Sequence, residues 1–201
     1  GEVGFRGMSG GSGSLGIWAV CATPHKLPDG LAMKLPKGAD ILLSSHFHLS
    51  GKAEREQTSI GLYFTDTPPT RSLVPLQMPP MWGFAYRIDI PAGQEDYKVK
   101  DYAILPADCE AVEISSHAHT VCKDMVAKAT LPSGKIIRLF YIDDWDFNWQ
   151  GGYTYKSAIA LPKGTRVDVE FTYDNSSANP DNPNNPPKRI QAGRETKDEM
   201  A

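Results

Sequence analysis

The sequence has few cysteines, no long apolar run and no excess of basic residues. Its three cysteines, Cys21, Cys109 and Cys122, allow at most one disulfide within the chain. Sequence separation favours Cys109 with Cys122 as the pair, and three buried thiols are the alternative. Cysteine content therefore does not decide between an oxidising and a reducing compartment.

No stretch is apolar over the roughly 18 residues that a membrane-spanning helix needs, so the sequence predicts no transmembrane segment. The formal net charge is −3, and lysines and arginines are scattered among acidic residues, which argues against nucleic acid as a partner. The glycine-rich start, residues 1 to 14, lacks an initiator Met and an apolar signal core, which indicates a processed, truncated or internal start.

Helical periodicity is also missing, because no stretch keeps an apolar face at helical spacing for three turns. Instead, Pro-x-Gly turns recur, and most lead into short runs of alternating or β-branched residues. The runs predicted as strands are Ile41–His48, Ile60–Phe64, Ala111–Ser115, Met125–Leu131, Ile136–Tyr141 and Arg166–Tyr173. The pattern predicts an all-β fold with few and short helices.

Two Leu-Pro-Lys-Gly segments, at 35–38 and 161–164, each precede a predicted strand, as two similar β-sandwiches would produce. The best linker candidate is 67–72, with adjacent prolines, so we predict domains at 1–70 and 71–201. The Asn- and Pro-rich segment from 174 to 194 excludes regular structure, but such a loop can be pinned at both ends.

Four of the five histidines form two His-x-His pairs, His46 with His48 and His117 with His119. Residues i and i+2 of a strand point to the same side, so the imidazoles of His117 and His119 can share one metal ion; two half-exposed surface histidines are the alternative. A methionine thioether prefers copper, above all Cu(I). Spacing alone does not bring Met200 to the histidines, and a disordered terminal methionine is the alternative.

The chain resembles the copper type II, ascorbate-dependent monooxygenase family, the hydroxylases typified by peptidylglycine alpha-hydroxylating monooxygenase and dopamine beta-monooxygenase, and most closely their bacterial relatives. The resemblance runs through most of the chain, and its most specific part is the His-x-His pair with a far-downstream Asp-Glu-Met. The similar segments are Leu27–Gly30, Leu35–Gly38, Ser45–Lys52, Ile60–Phe64, Ile90–Gly93, His117–His119 followed by Lys123, Tyr141–Gln150, Leu161–Gly164 and Asp198–Met200.

The resemblance implies that His117, His119 and Met200 hold the copper ion at which oxygen is activated, and it implies no catalytic residue beyond these ligands. His46 matches one ligand of the family's second, electron-transfer copper, but the adjacent His-His pair that completes that site is missing from this sequence. We therefore expect one copper site and regard the second as doubtful. His48, with His46 and His25, is a candidate for a different metal site, and exposed imidazoles are the favoured alternative.

The implied fold is two jelly-roll-type β-sandwich units, the first incomplete. Residues 1–70 correspond to the C-terminal half of the electron-transfer copper domain, and 71–201 to the whole catalytic copper domain. Either the chain is a fragment or the second copper has been lost, and a partner protein or a missing upstream segment would complete the first unit.

Three positions depart from the family pattern. Ser115 replaces the arginine that grips a substrate carboxylate in peptide-amidating members, so a glycine-extended peptide is not expected. Ser44 replaces a glutamine near the electron-transfer site, and Ala201 replaces the cysteine after the ligand methionine.

The resemblance implies an oxidoreductase that hydroxylates an aliphatic C–H bond with O2, with ascorbate or another donor returning electrons, in a periplasmic or extracellular location. The substrate is an unknown aliphatic compound or small molecule. A non-catalytic copper-binding or structural β-sandwich subunit of a larger extracytoplasmic assembly is the alternative function. Zinc held by the His-x-His pair and a carboxylate ranks third.

Two further motifs have mainly structural interpretations. The segment Asp143–Trp149 combines acids and indoles; a rigid aromatic loop beside the sandwich is favoured over a substrate contact or a calcium site, since the ordered calcium-loop spacing is absent. Asn175-Ser-Ser fits a glycosylation sequon, which we discount because such tripeptides are common by chance.

Overall fold

The computed structural model describes residues 15–16, 18, 26–45, 47, 50–80 and 88–201. The chain divides into two units: most described residues up to Pro75 belong to the first, and Leu76 begins the main part of the second. The described part of the first unit contains turns but no strand. The assignment of 1–70 and 71–201 to two copper domains, the first of them incomplete, stays a prediction.

All strands of the described residues lie in the second unit, and they contain no α-helix and hence no helix that could cross a membrane. The strands are β1 (Asp89–Ile90), β2 (Tyr97–Ile104), β3 (Cys109–Ser115), β4 (Cys122–Thr130), β5 (Ile136–Ile142), β6 (Gly152–Leu161), β7 (Arg166–Tyr173) and β8 (Ile190–Gln191). They form a four-stranded sheet in the order β2-β7-β4-β5 and two-stranded sheets β3-β6 and β1-β8, all antiparallel. The all-β prediction is confirmed.

Alternation along the strands builds the core between the sheets. On β7, Val167 and Phe171 are buried while Arg166 is exposed, as the period of two in a strand requires. From β6, Leu161 belongs to the same buried cluster as Leu139 of β5. Full burial of a side chain such as Phe171 contributes about 1.5–3 kcal/mol. The β3-β6 sheet thus covers one face of the larger sheet, giving a β-sandwich, and its jelly-roll connectivity stays a prediction.

Tight turns with glycine connect the strands where the sequence has Pro-x-Gly. Gly134 and Gly164 have φ values of 83° and 84°, a region that a side chain disfavours. In the second of these turns, the Thr165 N–H donates to the Pro162 carbonyl at 3.0 Å. These turns set where β4 ends and β5 begins, and where β6 ends and β7 begins.

The strand predictions were right in the second unit and wrong in the first. Of the described residues in the predicted strands Ile41–His48 and Ile60–Phe64, none is in a strand. Leu42 is 94% exposed and Phe64 78% exposed, so these apolar runs bury little surface. A strand needs a neighbour to accept its backbone hydrogen bonds, and local sequence pattern does not supply one. Two long strands, β2 and β6, were not predicted.

Cys109 and Cys122 are free thiols, so the favoured disulfide is not formed. Cys122 is buried, its thiol donates to the Thr172 carbonyl at 3.6 Å, and burial raises the pKa of this thiol well above its usual value. Cys109 is exposed at the start of β3. Cys21 lies outside the described residues.

The Asn- and Pro-rich segment after β7 is pinned by Asn175, which is fully buried. Its side-chain amide donates to the carbonyls of Pro91 and Lys188 at 3.0 and 2.7 Å, and its carbonyl accepts from Asn182 at 2.9 Å. These bonds join the segment to β1 and to the approach to β8. An amide used in this way is closed to glycosylation, which agrees with discounting the sequon. The prediction that 174–194 excludes regular structure was wrong at Ile190–Gln191, which pair with β1 as β8.

Candidate metal centre

The histidine pair, His117 and His119, lies in the loop between the end of β3 at Ser115 and the start of β4 at Cys122. The prediction that the pair lies on a strand was therefore wrong. The two imidazoles are nevertheless neighbours, because their ring centroids are 5.3 Å apart with an angle of 88° between the planes. His119 is buried at 4% exposure, and His117 is half-buried. The pair can still present two nitrogens to one small volume.

Each imidazole of the pair is held through its Nδ1 atom. His117 Nδ1 is 2.5 Å from the side-chain oxygen of Gln150, and His119 Nδ1 is 3.0 Å from the backbone carbonyl of Asp198. A carbonyl only accepts, so the bond to Asp198 places a proton on the Nδ1 of His119. The backbone of Glu195 forms a further hydrogen bond with this ring. Metal-binding histidines are commonly held in this way, with the second ring nitrogen bonded to an acceptor that fixes the tautomer.

The C-terminal tail, residues 188–201, is ordered against this loop. It contains β8, which pairs with β1, and a parallel bridge between Ala192 and Glu199. Met200 is fully buried, and its carbonyl accepts a hydrogen bond of 2.8 Å from the hydroxyl of Tyr173, which is itself buried on β7. The alternative of a disordered terminal methionine is therefore wrong.

The Glu199 carboxylate ties the tail to the histidine loop. It accepts hydrogen bonds from the backbone N–H groups of His119, of Val121 at 3.3 Å and of Met200 at 2.9 Å. The side chain is fully buried, and burial raises the pKa of Glu199 to about 8, with the three backbone donors opposing the rise. Glu199 thus links a histidine and the methionine of the predicted ligand set through one side chain.

Burial also lowers the pKa of His119, while the hydrogen bond to the Asp198 carbonyl opposes this effect. A lowered pKa favours the neutral imidazole, which is the form that binds metals. The local electrostatics at His119 therefore agree with a ligand role.

An aromatic loop, residues 143–150, follows β5 and contacts both histidines of the pair. The indole N–H of Trp145 donates to the His119 carbonyl at 3.0 Å, and Trp145 is buried. The Phe147 ring lies edge-on to the His119 ring with centroids 6.0 Å apart. Trp145 packs in the core as the aromatic-loop interpretation predicts, whereas Trp149 is 54% exposed. Its contacts with the histidines were not foreseen.

Sequence reasoning missed Gln150 and Glu199 as neighbours of the histidines. Gln150 is 33 residues from His117, and Glu199 is 80 residues from His119. Only their place in the segments that resemble the copper family, Tyr141–Gln150 and Asp198–Met200, marked them beforehand. No local pattern identifies a distant hydrogen-bond partner.

The described residues also bear on the zinc alternative. Within the described residues, no three His, Cys, Asp or Glu side chains are placed to hold a metal ion together. The histidine pair and a carboxylate therefore do not form a zinc-binding group among the described residues. Copper held by His117, His119 and the Met200 thioether stays a prediction.

The other residues considered for metal or substrate binding are Ser115 and three further histidines. Ser115 is exposed at the end of β3, two residues before His117. His46 and His48, proposed for a second metal, lie outside the described residues, as does His25. No protein-family model matches the chain, and no curated protein is significantly similar to it.

Proposed function

We propose that this chain is a copper-dependent monooxygenase-like protein that hydroxylates an aliphatic C–H bond with O2 and an external reductant such as ascorbate. His117, His119 and Met200 would hold a single copper ion. When bound, copper would supply the one-electron chemistry that O2 activation needs. The protein supplies the binding, the orientation and the electrostatics of the site.

One observation carries the proposal: the two imidazoles are adjacent, and both are bonded through Nδ1 to acceptors. Their ring centroids are 5.3 Å apart, with an angle of 88° between the ring planes, and this closeness supports a shared ion. Holding each ring by its far nitrogen orients the ligand and raises its basicity.

The surroundings of Met200 add support. Its backbone amide and the backbone amide of His119 bond to the same Glu199 carboxylate, so the methionine is held beside the histidine loop. Burial of a thioether favours the reduced ion, because Cu(I) is soft and carries less charge to desolvate. The periplasmic or extracellular location and ascorbate as reductant rest on the family resemblance described above.

The first test measures copper content and Cu(I) X-ray absorption of the wild type, Met200→Leu and Met125→Leu. Leucine keeps the volume of methionine, and Met125 is a similarly buried methionine in the core, so it is the matched control. We expect about one copper per chain and a sulfur scatterer in the wild type and Met125→Leu, and no sulfur scatterer in Met200→Leu. A wild type without copper, or a sulfur signal that survives in Met200→Leu, contradicts the proposed site.

A non-catalytic copper-binding subunit is the second candidate, and the burial of the ligands favours it. His119 is 4% exposed and Met200 fully buried, so access to the ion from solvent within this unit is restricted. The rate at which O2 reoxidises the Cu(I) protein separates the two functions. Electron paramagnetic resonance detects the Cu(II) that forms on reoxidation. Rapid reoxidation agrees with an oxygenase, and an ion that stays reduced in air agrees with a structural or carrier role.

A further inference from the structure

Gln150 lies at the end of the aromatic loop, half-buried, and its side chain spans two groups. Its amide nitrogen donates to the Phe147 carbonyl at 2.8 Å, and its oxygen faces His117 Nδ1. A carbonyl can only accept, so the contact with Phe147 identifies which end of the amide is the nitrogen. The atom that faces His117 is therefore the oxygen, and it accepts.

An acceptor at Nδ1 requires that this nitrogen of His117 carry the proton. The lone pair of the neutral ring is then on Nε2, which is buried. His119 reaches the same tautomer through a backbone carbonyl, that of Asp198, which no side-chain substitution removes. The two histidines thus have the same tautomer but different hydrogen-bond acceptors. The acceptor of His117 is a side chain, and the acceptor of His119 is a backbone carbonyl.

The loop that carries Gln150 is fastened near both histidines. The Trp145 N–H donates to the Lys123 carbonyl at 3.0 Å, and the Trp145 indole donates to the His119 carbonyl. Asp146 closes the loop, since its carboxylate accepts from the Asn148 amide at 2.8 Å and its carbonyl from the Trp149 amide at 2.9 Å. The backbone that carries Gln150 beside His117 is therefore held in place by hydrogen bonds.

We propose that Gln150 is a positioning residue of the metal site, which fixes His117 as its Nδ1–H tautomer and presents the Nε2 lone pair to the copper ion. This inference rests on the proposed function for the identity of the ion. The tautomer itself is a property of the metal-free protein. It is measurable whether or not copper binds.

The test is the long-range ¹H–¹⁵N spectrum of metal-free protein labelled at histidine, at a pH where both imidazoles are neutral. His117 is assigned by the loss of its signals in His117→Gln. We expect the Nδ1–H form for both histidines in the wild type and in Gln150→Glu, which keeps an acceptor oxygen. In Gln150→Leu we expect His117 to shift largely to the Nε2–H form while His119, the internal control, does not change.

Copper affinity is the second readout. Loss of the partner of a ligating histidine weakens metal binding about 10- to 100-fold, so Gln150→Leu is expected to fall in this range and Gln150→Glu to recover most of the affinity. The Cu(II) resonance spectrum of Gln150→Leu should also differ from that of the wild type.

The outcomes separate the two proposals. An Nε2–H form of His117 in the wild type overturns the inference by itself, even if Gln150→Leu does not fold. An unchanged tautomer and unchanged copper affinity in Gln150→Leu overturn it as well, and leave the copper site intact. A wild type that binds no copper refutes the proposed function instead, and the Nδ1–H assignment of His117 is then judged on the spectrum alone.

Discussion

At the scale of single residues, Glu199 connects the parts of the candidate site. One carboxylate accepts from three backbone amides, two in the histidine loop and one at Met200. A buried donor that loses its acceptor costs about 1–3 kcal/mol, so a side chain with three such partners is difficult to replace. Glu199, the middle residue of the segment Asp198–Met200, therefore has a structural role of its own.

We expect Glu199→Ala to lower the free energy of unfolding of the second unit by at least about 2 kcal/mol, because it leaves buried amide donors without an acceptor. Urea denaturation followed by tryptophan fluorescence measures the change. Glu195→Ala is the control on the same tail, since the Glu195 carboxylate is exposed and its ion pair is with the exposed Lys197. We expect that variant to lose less than about 0.5 kcal/mol. Equal losses in the two variants would contradict the role assigned to Glu199.

At the scale of elements, the four-stranded sheet carries cross-strand ion pairs on the face away from the core. Glu170 of β7 lies between Lys98 and Lys100 of β2, with N–O distances of 2.5 and 2.6 Å. Lys100 is its direct partner in the register of the two strands. Hydrogen bonds from Lys100 and Lys98 lower the pKa of Glu170. These two ion pairs thus stabilise the contact between β2 and β7.

The sign of the resulting pH dependence follows from the lowered pKa. The folded protein holds the Glu170 proton less tightly than the unfolded chain, so the stabilisation is present above the usual carboxyl pKa range and is lost as the pH falls through the folded value. We expect Glu170→Gln to cost at most about 1 kcal/mol near pH 7 and nothing at a pH below that range. Thermal unfolding at both pH values measures this difference, with the exposed Glu95→Gln as control. A difference that persists at the lower pH would contradict the assignment.

At the scale of the whole molecule, the described parts of the two units differ in how their backbone is bonded. The second unit has eight strands in three antiparallel sheets, whereas the first has turns without a strand among its described residues. Backbone outside a ladder opens at little cost in free energy, and proteases cleave such segments first.

We therefore expect trypsin to cleave first after exposed lysines of the first unit, such as Lys37 and Lys52, and to leave a resistant fragment that contains β2 to β7. Lys128 of β4 and Arg166 of β7 are the internal controls, because their side chains are exposed but their backbone is paired in the sheet. Mass spectrometry of a limited digest identifies the cuts. Early cleavage after Lys128 or Arg166 would contradict this expectation.

Much of the fold of the second unit was predictable from the sequence. The prediction for β7 matches the observed strand, and those for β4 and β5 overlap it closely, because alternation and glycine turns act over a few residues. The predicted strands of the first unit failed for the described residues, since an apolar run becomes a strand only beside a partner. β2 was missed because Lys98 and Lys100 lie on its exposed face and Asp101 interrupts the apolar pattern on the opposite face.

The sequence by itself determined the all-β class, the turns and the types of residue offered as ligands, because these depend on local periodicity and on side-chain chemistry. The tertiary structure alone decided that the histidine pair lies off the strand, that Gln150 and the Asp198 carbonyl hold its rings, and that Glu199 joins the tail to it. The partners of the histidines are 33 and 79 residues away along the chain, so their meeting depends on the path of the sheets between them.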